Sequence, residues 1–222
     1  MLGLFGGRSR NSKKATGALA EFYHTPAPAP STPLSELPLL AVDMETTGLK
    51  AQEHRILSIG WVPIDAAQIT LGDAGYALVK SATPGQSVGE SATIHSITDT
   101  MLEEGIEEKE AVAKLLDALK GRVLLAHFSA LETSFLDAAC RRHFGAGLDV
   151  EVVDTFAVER RHMERMGTYP RGEDLRLPRV RSRYGLPQYG SHNALVDALA
   201  CAELYLAQVV AGTGKTLKAM QV

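Results

Sequence analysis

The stretch Leu39-Leu40-Ala41-Val42-Asp43-Met44-Glu45-Thr46-Thr47-Gly48 joins an apolar run, two acids two residues apart and a glycine turn. The run reads as a buried strand. Residues i and i+2 of a strand point to the same face, so Asp43 and Glu45 aim their carboxylates at one spot. Two like charges held together are costly unless a proton or a cation neutralises them. The economical reading is a divalent-metal site at a strand end, which the rest of the chain must complete.

Composition narrows the class. A chain of 222 residues suits one domain of moderate size plus an appendage. Cys140 and Cys201 form neither a disulfide framework nor a metal spacing. They read as reduced core thiols of a cytosolic protein. The net charge of -3 leaves no global basic footprint, so any nucleic-acid binding rests on a local patch. No apolar run approaches the ~20 residues of a membrane span. The start, from Met1 to Lys14, carries Arg8, Arg10, Lys13 and Lys14 without a sustained apolar core. It is not read as a secretory signal, and the expected address is the cytoplasm, with no membrane partner.

Residues 1–37 read as a basic and Pro-rich appendage, residues 38–211 as the folded domain and residues 212–222 as a tail. A short helix is expected around Ala15–Tyr23. The run Pro26-Ala27-Pro28-Ala29-Pro30 favours extended, solvated backbone, as a linker or as a wrap around the domain. Strands are expected at Leu39–Asp43, Arg55–Ile64, Gln68–Lys80, Val123–Ala126 and Val150–Val153, with Asp65-Ala66-Ala67 a tight connection. Helices are expected at Thr98–Gly105, Glu107–Lys120, Ala130–His143, Phe156–Met166, Asp174–Tyr184 and Ser191–Ala211. Strands first, then strands alternating with helices, predict an α/β fold: a mixed five-stranded sheet flanked by helices.

Two further segments carry site candidates. Glu132, in Ala126-His127-Phe128-Ser129-Ala130-Leu131-Glu132, lies near a helix start just after a strand, where the helix dipole favours its charge. In Ser191-His192-Asn193-Ala194-Leu195-Val196-Asp197, His192 and Asp197 are five apart. With Ser191 as the cap, His192 falls in the first turn or the loop before it, and Asp197 faces the same cleft.

In this order, Asp43-x-Glu45, then Glu132 five beyond His127, then His192-x4-Asp197, the chain resembles the DEDD superfamily of 3'-5' exonucleases. Supporting matches are Asp43 to Leu49, Ile94-His95-Ser96-Ile97-Thr98, Asp154-Thr155 and His192 to Ala198. The tyrosine branch would place Tyr where Asn193 stands, and His192 stands one earlier. The resemblance is therefore to the histidine branch, which includes the proofreading epsilon subunit of bacterial DNA polymerase III. It spans roughly Leu39 to Ala207. It departs from the family pattern where Phe128 replaces Asn and Glu132 replaces Asp. Glu keeps the charge on a side chain roughly 1.5 Å longer, and the metal site is expected to survive.

The resemblance implies an RNase H-like sheet and phosphodiester hydrolysis with two Mg2+ or Mn2+ ions, hard cations that prefer oxygen ligands. Asp43, Glu45, Glu132 and Asp197 are the implied ligands, with Asp43 the bridge. His192 is the implied general base, and an ordinary imidazole suits that role near neutral pH. Met44, Thr46, Thr47 and Gly48 are assigned to substrate, and the backbone around Thr46-Thr47-Gly48 can approach a nucleotide closely because Gly48 has no side chain. His95 is assigned to the terminal sugar or phosphate. Arg171, Arg176, Arg179, Arg181 and Arg183 either track a strand's phosphates or form a solvated face with Glu173 and Asp174.

The expected function is release of nucleoside 5'-monophosphates from 3' ends of single-stranded nucleic acid, on DNA first. An RNA-trimming exonuclease and a chemically impaired binding module recruited through residues 1–37 are the alternatives. A polymerase partner is open. The absence of a separate polymerase-binding region after the nuclease favours a free-standing or repair role. Gly212-Thr213-Gly214-Lys215-Thr216 resembles a phosphate loop, but Val209 stands where the pattern needs Gly, and it reads as a tail.

Overall fold

The structure is a computed structural model and describes residues 11–80, 97–190 and 192–221. The strands are β1 (Leu39–Thr46), β2 (Ile56–Asp65), β3 (Gln68–Ile69), β4 (Gly75–Leu78), β5 (Val123–Ala126) and β6 (Val152–Asp154). The helices are α1 (Gly17–His24), α2 (Asp99–Glu103), α3 (Glu108–Leu119), α4 (Ala130–Phe144), α5 (Thr155–Arg165), α6 (Leu177–Arg183), α7 (Ala194–Val210) and α8 (Leu217–Met220).

The sheet runs β3-β2-β1-β5-β6, with β4 also paired to β2. β1 is antiparallel to β2 and parallel to β5, and β5 is parallel to β6. The sheet is mixed and flanked by helices, as expected, but has six strands rather than five. The predicted strand over residues 68–80 is cut by a 3-10 turn at Leu71–Asp73. It restarts at Gly75, where a Cβ would overlap the indole of Trp61 across the ladder. The tight connection is a two-residue turn with Ala66 at φ 48° and Ala67 at φ 58°, the left-handed pair that suits a twisted hairpin.

β1 is buried on both faces, and its period of two divides the core. Leu40, Val42 and Met44 pack with residues of α1, α3 and α4. Leu39 and Ala41 pack with residues of α7 and α8. Asp43 and Glu45 continue the second face at the end of the strand, where α7 begins.

Two helix expectations are corrected. The segment expected as one helix over residues 174–184 is a 3-10 turn at Gly172–Leu175 followed by α6. Pro178 explains the break, since proline is tolerated in a first turn but not in a helix interior. The last helix starts at Ala194 and not at Ser191, because Asn193 is its cap. The Asn193 Oδ1 accepts from the amides of Leu195 (3.1 Å) and Val196 (3.2 Å).

The flanking segments are part of the packing. Leu19 and Phe22 of α1 and Leu217 and Met220 of α8 are fully or almost fully buried. The amide of Leu34 donates to the Lys215 carbonyl, and the amides of Leu217 and Lys218 donate to the carbonyls of Thr32 and Pro30. Residues 212–216, expected as a tail, carry a buried Thr213 whose hydroxyl donates to the Gln208 carbonyl at 2.8 Å.

Candidate active site

The site forms where β1, β5 and the start of α7 meet. Asp43 pairs across the sheet with Gly60 of β2, and Glu45 pairs with Ser58. A Cβ built on Gly60 would overlap the carbonyl of Ala194 and the amide of Leu195. This glycine lets α7 lie directly on the sheet opposite Asp43, which brings Asp197 to the strand pair. One ligand oxygen each from Asp43, Glu45 and Asp197 lies within 4.8 Å of the others. Gly60→Ala is expected to push the start of α7 outward and lower hydrolysis by roughly 100-fold, the cost of about 1 Å of misplacement. Steady-state rates beside a circular-dichroism melt check this, and a variant with wild-type rates would remove Gly60 from the positioning of the site.

Glu132 reaches the site from the first turn of α4 with only 2% of its surface exposed. Its Oε2 is buried with no hydrogen-bond partner among the described residues. It is not one of the three acids within 4.8 Å, but its charge is the largest electrostatic influence on Asp43.

The charges carry the mark of this crowding. Burial first, then Glu132, Asp197 and Glu45, hold the Asp43 carboxyl well above the usual range. Burial and Asp197 lift Glu45 to about 7. Burial lifts Glu132 to about 8, with the charge of Asp154 adding to it. Asp197 is raised by burial, opposed by the hydrogen bond it accepts from the His192 amide. A buried carboxylate is disfavoured, and more so for Glu45 and Glu132, which are buried beside the half-buried Asp43 and Asp197. The all-oxygen donor set and the orphaned Glu132 oxygen fit a hard divalent cation.

His192 sits in the loop just before α7 with φ +71°, and its amide donates to the Asp197 Oδ2 at 2.8 Å. The same residue pair is thus tied through backbone as well as through the site. A cavity of about 350 Å³ is lined by Asp43, His127, Arg176, Pro178, His192 and Asp197.

The remaining predicted residues divide. The Met44 side chain is buried in the core on the face opposite Asp43 and Glu45, which leaves only its backbone on the side of the site. Thr46 is buried and donates to the Gly48 carbonyl at 2.8 Å. The Thr47 Oγ1 accepts from the Arg55 amide at 3.1 Å. A Cβ on Gly48 would overlap the His54 ring, so the missing side chain makes room for His54. Ser191 and His95 lie outside the described residues.

The basic stretch also divides. Arg176 lines the cavity. Arg181 is only 2% exposed and donates to the carbonyls of Ala200 and Pro187 and to Glu203. Arg183 pairs with Glu159 at 3.2 Å and donates to the Asp174 carbonyl. Arg181 and Arg183 therefore hold α6 to α7 and α5; Arg181 does so from the interior, and Arg183 from the surface.

Sequence reading missed the part played by His127 and Asp154. His127 is a half-buried wall: Nδ1 meets Thr155 Oγ1 at 2.8 Å and Nε2 meets the Leu175 carbonyl at 2.7 Å. Burial lowers its pKa, consistent with a neutral ring. Asp154 accepts from the amides of Phe128, Ser129, Phe156 and Ala157, which fixes the turn between β5 and α4 and caps α5. The position of an acid at a strand end just before a helix signals that cap.

The sequence and fold agree with known proteins. The family model described as Exonuclease, RNase_T, matches residues 40–205. The chain is 32% identical over 169 residues to DNA polymerase III subunit epsilon of Treponema pallidum, covering 76% of this chain and 75% of that protein. It is 29% identical over 168 residues to the PolC-type DNA polymerase III of Thermotoga petrophila, covering 75% of this chain but only 11% of that protein. Among solved structures, cell-death related nuclease 4 aligns with TM-score 0.67 at 14% identity, covering 82% of this chain and 66% of that one. The nuclease domain of 3'hExo, a DEDDh family member, aligns with TM-score 0.63 at 14% identity, covering 79% of this chain and 92% of that one. At such identity these two likenesses show the fold, which is RNase H-like. The chain belongs to the exonuclease family, and its enzymatic class is that of a 3'-5' exonuclease.

Proposed function

We propose that this 3'-5' exonuclease shortens single-stranded DNA from its 3' end with two divalent cations, Mg2+ or Mn2+, and releases nucleoside 5'-monophosphates. The observation that carries this reading is the convergence of Asp43, Glu45 and Asp197 within 4.8 Å, beside the unpartnered Glu132 oxygen. These four acids would hold the cations. Bound there, the cations would activate a water and offset charge on the departing 3'-oxygen. His192 lines the same cavity and takes the proton of the attacking water on its imidazole. Arg176 lends positive charge to the wall past which the phosphates enter. Residues 38–211 are the catalytic unit in this reading, with the helices at residues 17–24 and 217–220 packed onto it.

No helix among the described residues is long and apolar enough to cross a membrane. Likeness to a DNA polymerase III subunit makes association with a polymerase a further proposal, tested by co-purification with the full chain.

End-labelled single strands of DNA and RNA with Mg2+ or Mn2+ test the reading. Stepwise shortening, faster on DNA, is expected. His192→Ala should slow it by roughly 100-fold or more, the range general-base catalysis supplies. Binding without shortening would leave only a binding module, and faster loss of RNA would move the substrate assignment to RNA trimming.

A further inference from the structure

Phe128 stands in the left-handed region with φ +73°, which is unusual for a bulky side chain. It stands where the resembled pattern has Asn, a residue that tolerates this backbone. Core packing does not account for the ring, because Phe128 is 54% exposed. The strain is held from below. The Asp154 carboxylate accepts from the Phe128 amide at 3.0 Å and from the amide and hydroxyl of Ser129, both at 2.9 Å. Strained backbone persists where its surroundings fix it, and it clusters at functional sites.

The ring's neighbours place it beside the reaction. Phe128 meets Phe156 in a T-shaped pair with centroids 5.3 Å apart. Phe156 also stands edge-on to His127 at 5.8 Å, and His127 lines the cavity with Asp43 and His192. An exposed aromatic, braced by a second and fixed by a carboxylate, therefore borders the wall of the site. Every nucleobase has a face that stacks on such a ring, whatever its sequence.

We propose that Phe128, backed by Phe156, is a stacking platform for a nucleobase of the strand entering the site, and so a positioning residue for substrate. This rests on the reading of the site as an exonuclease centre. The full chain is assayed on end-labelled oligothymidylate, with and without a single abasic position walked along the last few nucleotides. Phe128→Asn should raise KM roughly 5- to 150-fold, the range that base stacking spans, while kcat changes less than about threefold. Its melting temperature should hold or rise, because Asn accepts the left-handed backbone. Phe128→Leu, which keeps apolar bulk without the ring face, should raise KM as well.

An abasic position opposite the platform should weaken binding to the wild-type chain and add no further loss in either variant. An unchanged KM, or a fall in kcat and melting temperature together without a KM effect, would overturn the platform. Hydrolysis of the p-nitrophenyl ester of thymidine 5'-monophosphate by the wild-type chain separates the two ideas. If the wild type cleaves neither the ester nor any strand, the exonuclease reading itself fails. If it cleaves both and KM ignores Phe128, only the platform fails.

Discussion

Asp43→Asn lowers hydrolysis at saturating divalent cation by roughly 1,000-fold, because cation-borne charge stabilisation is worth several kcal/mol and each 1.4 kcal/mol is tenfold. The same variant melts higher than the wild type when cation is removed near pH 8. Both outcomes come from one fact: Asp43 faces Glu132, Asp197 and Glu45 in a buried setting that holds its carboxyl well above the usual range. On the proposed reading, bound cations would offset that crowding. Without them, placing Asp43 beside these acids costs either a crowded charge or the proton that neutralises it, and an amide of the same shape costs neither. Loss of activity with gain of stability is the pattern of a site built against its own stability. Single-turnover rates and thermal melts in chelator measure the two arms. A variant that keeps more than about a tenth of the wild-type rate would take Asp43 out of the reaction, since one full ligand is worth more than tenfold. A variant that melts lower in chelator would show that Asp43 acts as a structural group.

The shared face of Asp43 and Glu45 was legible because strand geometry is local, while the order of the later acids came from the family resemblance. The two-residue spacing of Asp43 and Glu45 fixes their common face whatever the rest of the chain does. The α/β class was legible for the same reason, from runs and caps read segment by segment. The structure added what depends on contacts across long separations. Gly60 gives no sign in its own segment that Ala194 and Leu195 will press against it. Arg181 and Arg183 read in sequence as either phosphate-tracking or solvated, yet buried partners on other helices take them up. Met44 is named beside two site acids, and the same alternation that exposes those acids to the site turns Met44 into the core. The split of the predicted third strand needed Trp61, which lies across Gly75 from the neighbouring strand. The left-handed turn at Phe128 is opaque in sequence too, because Asp154, which holds it, is 26 residues further on.

The cation-free protein loses stability as pH rises from about 4 to 8, and divalent cation reverses the trend. The sign follows from proton counts. In the folded chain Glu45 titrates at about 7 and Glu132 at about 8, against 4.5 in the unfolded chain. Asp43 and Asp197 are raised as well, from 3.8. Between the unfolded and folded values the folded state binds more protons, so unfolding becomes easier with each step up in pH. The contribution is full below the unfolded values, declines through the window up to the folded ones and is flat above them. Glu45 alone, moved from 4.5 to about 7, contributes roughly 3 kcal/mol. In a chain of this size that is a fall of roughly 10 °C in melting temperature. A divalent cation takes only the deprotonated carboxylates, so its stabilisation grows over the same window. Melts in chelator and in excess Mg2+ or Mn2+ should therefore nearly coincide at about pH 4.5 and separate widely by about pH 8.5. A chelated protein that grows steadily more stable up to pH 8.5, with cation adding nothing, would contradict the site as built here. Asp43→Asn supplies the internal control. With one of the coupled acids gone, the chelator curve should flatten, which assigns the slope to this cluster and not to carboxylates elsewhere on the surface.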